Sequence, residues 1–335
     1  MAVRCKFFDE CKGYAISIVP FSKMPLCKYH FLKYIKDRVW KTINNYDLID
    51  FNDENEKILV ALSGGKDSQT LLHILNRALE KKVKMEALYI DIGIKPRNYS
   101  KKSLEVAEKI TADFSVPLNV IDVKEETGFN IDDVHKLSDY GKYKSKNRYR
   151  GECSYCGVIK RYLINKYAYE NGFTKVATGH NLTDEATTLF SNFLNIDLDL
   201  MSRAGPITIT EIDKLVPRIK PLYFIYESEL ILYTFYADIP HVSTRCMYAR
   251  DSPMLKIKRS LKKIEDFRRA TMRNMVYEFQ QKMRNIIFEN RAEEKTIENY
   301  CEVCKMPTYV YSDRCSYCKI ISRLNQDLKK YEIIK

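Results

Sequence analysis

Apolar and polar positions along this 335-residue chain follow two periods in turn. Short apolar runs at 58–62, 85–94, 118–123 and 175–178 have the length and the Val, Ile and Leu content of buried strands. Between and after them, at 68–80, 100–114, 157–171 and 183–194, apolar residues recur every three or four positions, the spacing of one helix face. Strand–helix alternation of this kind predicts an α/β fold, a doubly wound parallel sheet with helices on both faces. In such sheets ligands sit beyond the carboxyl ends of the strands, so the loops after Leu62, Ile92 and Thr178 are expected to meet around one site. Four regions follow: 1–46, with cysteines and a helix through Trp40; 47–253, the α/β domain; 254–297, a basic helical region; and 298–335, a second cysteine segment.

Composition narrows the class. Hydrophobic residues make up 45%, ample for a folded interior. The longest apolar stretch, 222–239, contains Glu227, Glu229 and Asp238, so no membrane span is expected. Arg4, Lys6, Asp9 and Glu10 interrupt the first residues, which therefore do not read as a secretion signal. A net charge of +12 favours a polyanionic partner such as nucleic acid, although a basic enzyme that binds none is the plainer alternative. Segment 142–150 mixes Lys142, Lys144, Lys146, Arg148 and Arg150 with Tyr143 and Tyr149, cations for phosphates and rings for exposed bases. Lys256, Lys258, Arg259, Lys262, Lys263, Arg268, Arg269 and Arg273 form a second basic stretch, which as readily serves as a solvated helix face. The ten cysteines, without a signal segment, read as metal ligands in a reducing cytoplasm rather than as disulfides.

The sharpest chemistry lies directly after the first strand: Ser63, Gly64, Gly65, Lys66, Asp67, Ser68. Paired glycines let the backbone approach an anion, and the first N–H groups of the following helix point at it. Ser63 and Ser68 add hydroxyls and Lys66 a positive charge. A Walker A loop would need Gly at position 60 and Ser or Thr at 67; these hold Val60 and Asp67. Cys301-x2-Cys304 followed by Cys315-x2-Cys318 supplies four thiolates for one structural zinc, with no open position for catalysis. Cys5, Cys11, Cys27 and His30 form a looser set of the same kind, against buried free thiols as the alternative. Cys153-x2-Cys156 stands apart before the 157–171 helix, leaving Cys246 unassigned. Three cysteines gathered together suit an iron–sulfur cluster with one iron free of protein ligand; a redox or persulfide pair is the rival, and plain packing the simplest reading.

The loop resembles the SGGxDS signature of the PP-loop ATP pyrophosphatases, which implies that ATP is split into AMP and pyrophosphate. The order of that loop, Gly151-Glu152-Cys153-Ser154-Tyr155-Cys156-Gly157-Val158-Ile159-Lys160-Arg161, then Thr178-Gly179-His180-Asn181-Leu182-Thr183-Asp184-Glu185-Ala186, a late Cys246 and cysteine sets at both ends resembles tRNA 2-thiouridine synthetases of the TtuA/NcsA type. The likeness covers almost the whole chain. Two positions depart: Cys5-x5-Cys11 stands where the family usually has Cys-x2-Cys, and Cys246-Met247-Tyr248 where Cys-Pro-Tyr is common.

The resemblance implies a PP-loop domain between two zinc fingers. It also implies a [4Fe-4S] cluster on Cys153, Cys156 and Cys246, ATP with Mg²⁺ on residues 63–68, and catalytic roles for Lys160 and Asp184. Asp91 and Gly179, at strand ends, join the expected nucleotide site, and His180 is expected to be structural. Lys160 lies one helical turn after Cys156, on the same side. The implied reaction is ATP-dependent 2-thiolation of a tRNA uridine by a cytoplasmic homodimer. Sulfur would come from sulfide or a thiocarboxylated ubiquitin-like carrier. The alternatives are a cluster-free persulfide or disulfide thiolase, another PP-loop tRNA-modifying enzyme, and a zinc-finger tRNA-binding module with a degenerate nucleotide fold.

Overall fold

Lys57–Leu62 (β1) is apolar on both sides because both of its faces are covered. Ile58, Val60 and Leu62 enter one core, while Leu59 and Ala61 enter the other. The strand therefore has no solvated face, which is why it reads as a continuous apolar run. The computed structural model describes residues 3–7, 11–19, 23–79, 83–140, 151–208, 212–249, 253–289, 299–308 and 312–334.

Around β1 the main sheet adds Lys84–Asp91 (β2), Leu118–Asp122 (β3), Lys175–Ala177 (β4), Ile207–Thr208 (β5) and Arg218–Ile219 (β6), in the order β3-β2-β1-β4-β6-β5. All pairs are parallel except β5 with β6. The chain moves outward from β1 through β2 to β3, then crosses to β4 on the other side. The switch point thus lies between β1 and β4, where the loops leaving their carboxyl ends diverge and open a crevice.

One face of the sheet carries helices Lys28–Asn45 (α1), Lys66–Leu79 (α2) and Tyr99–Asp113 (α3), with Glu227–Tyr236 (α7) packed on α2 and α1. The other face carries Glu152–Glu170 (α4) and the carboxy-terminal Ser316–Lys330 (α10). Leu182–Leu194 (α5) and, between them in sequence, the turn Leu198–Ser202 (α6) form a third cluster with Pro253–Phe267 (α8) and Thr271–Glu278 (α9). Fully buried side chains such as Ile58, Leu71 and Leu163 each contribute about 1.5–3 kcal/mol relative to exposure.

Three boundaries differ from the sequence expectation, each for a local reason. Helix α2 begins at Lys66 rather than 68, so Lys66, Asp67 and Ser68 are its first turn and present orphan N–H groups beyond the strand. Helix α4 begins at Glu152, after Gly151 at φ +81°, so Cys153 and Cys156 lie within the helix rather than ahead of it. The basic stretch 255–291 is not one helix: Ala270 takes φ +64° and the chain restarts as α9. Glu265 causes the break by accepting the N–H groups of Ala270 (2.5 Å) and Met272 (2.8 Å). Segment 142–150 lies outside the described residues.

Candidate active site and metal centres

The loop after β1 is held by its own serines. Ser68 Oγ donates to the Gly65 carbonyl (3.0 Å), accepts the Ser63 N–H (3.1 Å) and lies 3.1 Å from Ser63 Oγ. Gly64 takes φ +72° with its Cα against Ser103; a Cβ there would stand 2.7 Å from the Ser103 carbonyl oxygen. Gly179, in the turn after β4, faces the same loop: an added Cβ would lie 2.8 Å from the Ser68 nitrogen and 2.9 Å from the Asp67 carbonyl carbon. The two strand-end turns are thus in backbone contact, and glycine is the residue that permits it. Asn181 fixes the second turn by capping α5, accepting the N–H groups of Thr183 (3.0 Å) and Asp184 (3.2 Å).

Beside this floor lies a network of three lysines and three carboxylates. Lys66 Nζ reaches Asp67 (3.1 Å) and Glu227 (3.3 Å). Lys258 bridges Asp184 (2.9 Å) and Glu227 (3.0 Å), and Lys262 also binds Glu227 (2.7 Å). The Glu227 N–H is held by Thr183 Oγ1 at 3.1 Å. Burial alone would push the Glu227 carboxyl up, but Lys262, Lys258 and Lys66 together bring it down to about 2. Burial pushes Asp67 up, with Lys66 opposing and Asp184 and Glu227 adding to the rise. Lys258 loses solvation too, yet Asp184 and Glu227 hold its pKa above the ordinary value. Asp67 Oδ1 is buried without a hydrogen-bond partner among the described residues. A buried oxygen of this kind normally has a partner, and a donor or cation supplied with a bound nucleotide would serve.

A cavity of about 390 Å³ opens over the loop. Ser63, Asp67, Ser68 and Gly179 form one wall; Gly157, Lys160 and Arg161 of α4 form the facing one. His180 lines it as well, hydrogen-bonded through Nδ1 to Thr178 Oγ1 (2.9 Å). Desolvation, reinforced by Lys220 and Arg218, lowers the His180 pKa, and the Thr178 hydroxyl orients the ring. Behind Gly157, Cys153 Sγ lies 3.5 Å from the Tyr248 carbonyl, in the turn that also carries Cys246. Burial raises the pKa of Cys153, with Cys246 and Cys156 adding to the rise; burial and then Cys156 raise that of Cys246 against the backbone N–H groups of Tyr248 and Ala249, and Lys160 lowers both. The three cysteines are therefore within electrostatic reach of one another, and Lys160, which lines the cavity, is within reach of Cys153 and Cys246.

The terminal cysteine sets are tighter. Cys5, Cys11, Cys27 and His30 bring their ligand atoms within 4.8 Å of one another, as do Cys301, Cys304, Cys315 and Cys318. Tetrahedral zinc with bonds of about 2.3 Å to sulfur requires sulfur atoms about 3.8 Å apart. The Cys11–Cys27 and Cys304–Cys315 separations are 3.9 and 3.7 Å. His30 presents Nδ1 to Cys5 (3.3 Å) and Cys27 (3.4 Å). The unusual Cys5-x5-Cys11 spacing does not spread this set: the Cys5 N–H donates to the Gly13 carbonyl (2.9 Å), and Gly13 packs against Cys27. Both sets could hold a metal ion. In the second, burial raises Cys301, but the N–H groups of Cys304, Cys315 and Val303 bring it down to about 6, which favours the thiolate that a metal needs.

Of the sequence-picked residues, Ser63, Asp67, Ser68, Gly179 and Lys160 line the cavity; Lys66 and Asp184 belong to the ion network beside it, Cys153 and Cys246 lie within reach of Lys160, and the terminal sets line no part of it. Asp91 ends β2, where its carboxylate accepts the Gly93 N–H (2.8 Å) and stabilises a turn. Sequence reading gave Glu227 no role at the site, and left Lys258 and Lys262 between an RNA-binding patch and a solvated helix face. Glu227 lies in a stretch that reads only as apolar helix. Its one visible signal was an acid in the first turn of that helix, which is ordinary.

A glycine-rich anion loop at the switch point of a parallel sheet, facing a lysine-bearing helix, defines a nucleotide-binding α/β protein. The PP-loop domain family matches residues 33–243. The chain is 36% identical to the tRNA-5-methyluridine(54) 2-sulfurtransferase of Pyrococcus horikoshii over 95% of this chain and 93% of that one. It is 29% identical to the tRNA 2-thiolation protein NcsA of Haloferax volcanii, with 94% and 98% covered. Its fold matches the U34-tRNA thiolase NcsA of Methanococcus maripaludis, solved with its [4Fe-4S] cluster, at a TM-score of 0.76 and 24% identity over 97% of both chains. The chain belongs to the PP-loop tRNA 2-sulfurtransferases of the TtuA/NcsA type.

Two outcomes follow from this geometry. Gly179→Ala forces the two strand-end turns apart; we expect a loss of about 1–3 kcal/mol in stability and at least tenfold weaker ATP binding, read by thermal melting and calorimetry. Glu227 has a folded pKa of about 2 against an ordinary 4.5, so the unfolded chain takes up its proton first. Its contribution is complete above pH 4.5 and disappears as pH falls towards 2. Melting curves from pH 7 to 2 should show Glu227→Gln less stable at neutral pH, with the gap to wild type closing below pH 4.5.

Proposed function

We propose that this protein carries out ATP-dependent 2-thiolation of a uridine in tRNA. The observation that carries this reading is the single cavity with the phosphate loop on one wall and Lys160, next to the paired cysteines, on the other. A uridine C2 oxygen is a poor leaving group, and adenylation improves it. The oxygen attacks the α-phosphorus of ATP and pyrophosphate departs; a sulfur nucleophile then adds at C2, and AMP leaves with the oxygen. Residues 63–68 hold the phosphates through backbone N–H groups, two hydroxyls and Lys66. Asp67, on the cavity wall, and Asp184, near it in the ion network, are the candidates for holding Mg²⁺ beside the phosphates; Asp91 is occupied in its turn and takes a lesser part. Lys160 offers a positive charge to the adenylated base or to the incoming sulfur, and the enclosed cavity limits hydrolysis of the adenylate.

Cys153, Cys156 and Cys246 fit a [4Fe-4S] cluster: three thiols converge from one helix turn and one loop, more widely spread than either terminal set, with Lys160 to offset their negative charge. Held by three cysteines, such a cluster leaves one iron free of protein ligand and offers it to an exogenous sulfur atom. The terminal sets would each hold a structural zinc, four ligands leaving no open position. The partners in this reading are a tRNA and sulfide or a thiocarboxylated sulfur-carrier protein, acting on a cytoplasmic homodimer. The Drosophila virilis relative, 30% identical, is named a cytoplasmic tRNA 2-thiolation protein, in keeping with that compartment. No described helix is long and apolar enough to cross a membrane.

Mass spectrometry of nucleosides from tRNA incubated with protein, ATP and sulfide under anaerobic conditions tests the reaction. 2-Thiouridine is expected, with one AMP per thiolation. Elemental analysis of the same protein should return four iron and two zinc per chain. Cys153→Ala, Cys156→Ala and Cys246→Ala should each abolish thiolation while leaving the melting temperature nearly unchanged; anaerobic thiolation surviving in Cys246→Ala would overturn the three-cysteine cluster. Binding to tRNA should weaken steeply with salt, as phosphate contacts release counterions.

A further inference from the structure

A second cavity, about 540 Å³, lies on the far side of Arg161 and Arg218 from the first. These two arginines line both, so they form the wall between them. The outer cavity is the seam between α4, the cap of α6 and the carboxy-terminal cysteine knuckle. It is firmly built. Asn165 of α4 pins the loop ahead of β6, donating to the Lys214 carbonyl (2.8 Å) and accepting the Val216 N–H (3.0 Å). Lys214 in turn donates to the Lys305 carbonyl of the knuckle (3.2 Å). Tyr162 and Tyr317 stack face to face, centroids 3.6 Å apart and planes within 4°, joining α4 to α10 at the seam.

Three guanidinium groups line this cavity: Arg161, Arg203 and Arg218. Among the described residues none of them has a carboxylate within ion-pair distance, whereas the half-buried Lys66, Lys220 and Lys258 each have one. Arg218 donates to the Arg161 carbonyl (3.1 Å), which anchors its plane without neutralising it. Burial, and then Arg161, lower the Arg218 pKa to about 10, the mark of a cation desolvated next to another cation. Such an arrangement costs stability in the free protein and is relieved by an anion. Guanidinium forks match phosphate oxygens, and a neighbouring aromatic pair offers a surface to a base.

We infer that Arg161, Arg203 and Arg218 form a subsite for a backbone phosphate of the RNA strand, at the nucleotide next to the one that enters the reaction cavity. The inference rests on the tRNA reading above and deepens it. Because Arg161 and Arg218 line both cavities, a strand passing from one to the other would place neighbouring nucleotides on either side of them. The carboxy-terminal knuckle, which holds no group in the reaction cavity, gains a role from this: it completes the outer wall of the RNA site through Met306, Pro307 and Thr308.

Arg203 touches only the outer cavity, is exposed and caps a short helical turn, so it can be replaced without disturbing the fold. In the full-length, metal-loaded protein, Arg203→Gln should bind a fluorescent tRNA transcript about five- to tenfold more weakly at 0.1 M salt. Its plot of log Kd against log salt should be shallower by roughly 0.7–0.9, the loss of one phosphate contact. Arg203→Lys should recover most of the slope. ATP affinity and melting temperature should stay at wild-type values. An unchanged salt slope and tRNA affinity in Arg203→Gln would overturn the subsite. A weaker inhibition by pyrophosphate with an unchanged tRNA slope would also overturn it and assign the pocket to the released product. The two proposals fail separately: wild type that binds tRNA without thiolating it removes the reaction, while a thiolating wild type with an unaffected Arg203→Gln removes the subsite.

Discussion

The arrangement of this protein depends on a backbone contact: the turn at Gly179 rests on Asp67 and Ser68 with no space for a side chain between them. That contact joins the ends of β1 and β4, the two central strands from which the chain departs in opposite directions. Because they are joined, the first turn of α2 and the first turn of α5 open onto the same crevice. Asp67 and Asp184, one from each, come close enough to interact and to share a lysine network through Glu227. Had the strand order been different, the same two motifs would have stood on separate edges of the sheet.

The network of Lys66, Lys258, Lys262, Asp67, Asp184 and Glu227 also links elements far apart in sequence. Glu227 begins a helix that packs on α2, and Lys258 and Lys262 belong to a helix that packs on α5. Partial burial makes each charge expensive alone, so each is placed against its opposite. The contrast with Lys160, Arg161, Arg203 and Arg218 is informative. Those cations line the two cavities without such compensation among the described residues, leaving an electropositive lining on the side away from the phosphate loop. A polyanion that supplies the missing charge is what a net charge of +12 would lead one to expect, but composition could not say where on the surface it would bind.

The cysteines divide by geometry along the same logic. Two sets close to the dimensions of a single tetrahedral ion and hold the ends of the chain, one through α1 and one through α10, to opposite faces of the sheet. The third set is looser and partly exposed, and its nearest link to the cavity is Lys160, which acts on Cys153 and Cys246. Spacing alone made the carboxy-terminal set legible, since two Cys-x2-Cys knuckles have few other uses. It read the amino-terminal set as a looser one of the same kind, because five residues stand between Cys5 and Cys11; the structure brings its four ligand atoms within 4.8 Å of one another, with Gly13 against Cys27. Sequence likewise put Cys153 and Cys156 ahead of α4, because their surroundings are polar and no periodicity reaches them. A left-handed glycine at 151 starts the helix five residues earlier and puts both thiols within its first turns.

The sequence by itself determined the strand–helix alternation, the anion loop at 63–68, the Thr178–Ala186 turn and the grouping of metal-type cysteines. All of these are local: each is written in a run of at most about twenty residues whose periodicity, glycines or ligand spacing have few physical solutions. Only the tertiary structure decided that Glu227 neutralises the phosphate-loop lysine, that Lys258 is drawn in against Asp184 and Glu227 while Lys262 reaches Glu227 from the surface, and that Arg203 joins two arginines from other elements. These depend on which helices pack together and in what register. A charged side chain carries no mark in sequence of whether its partner is water or an opposite charge two hundred residues away.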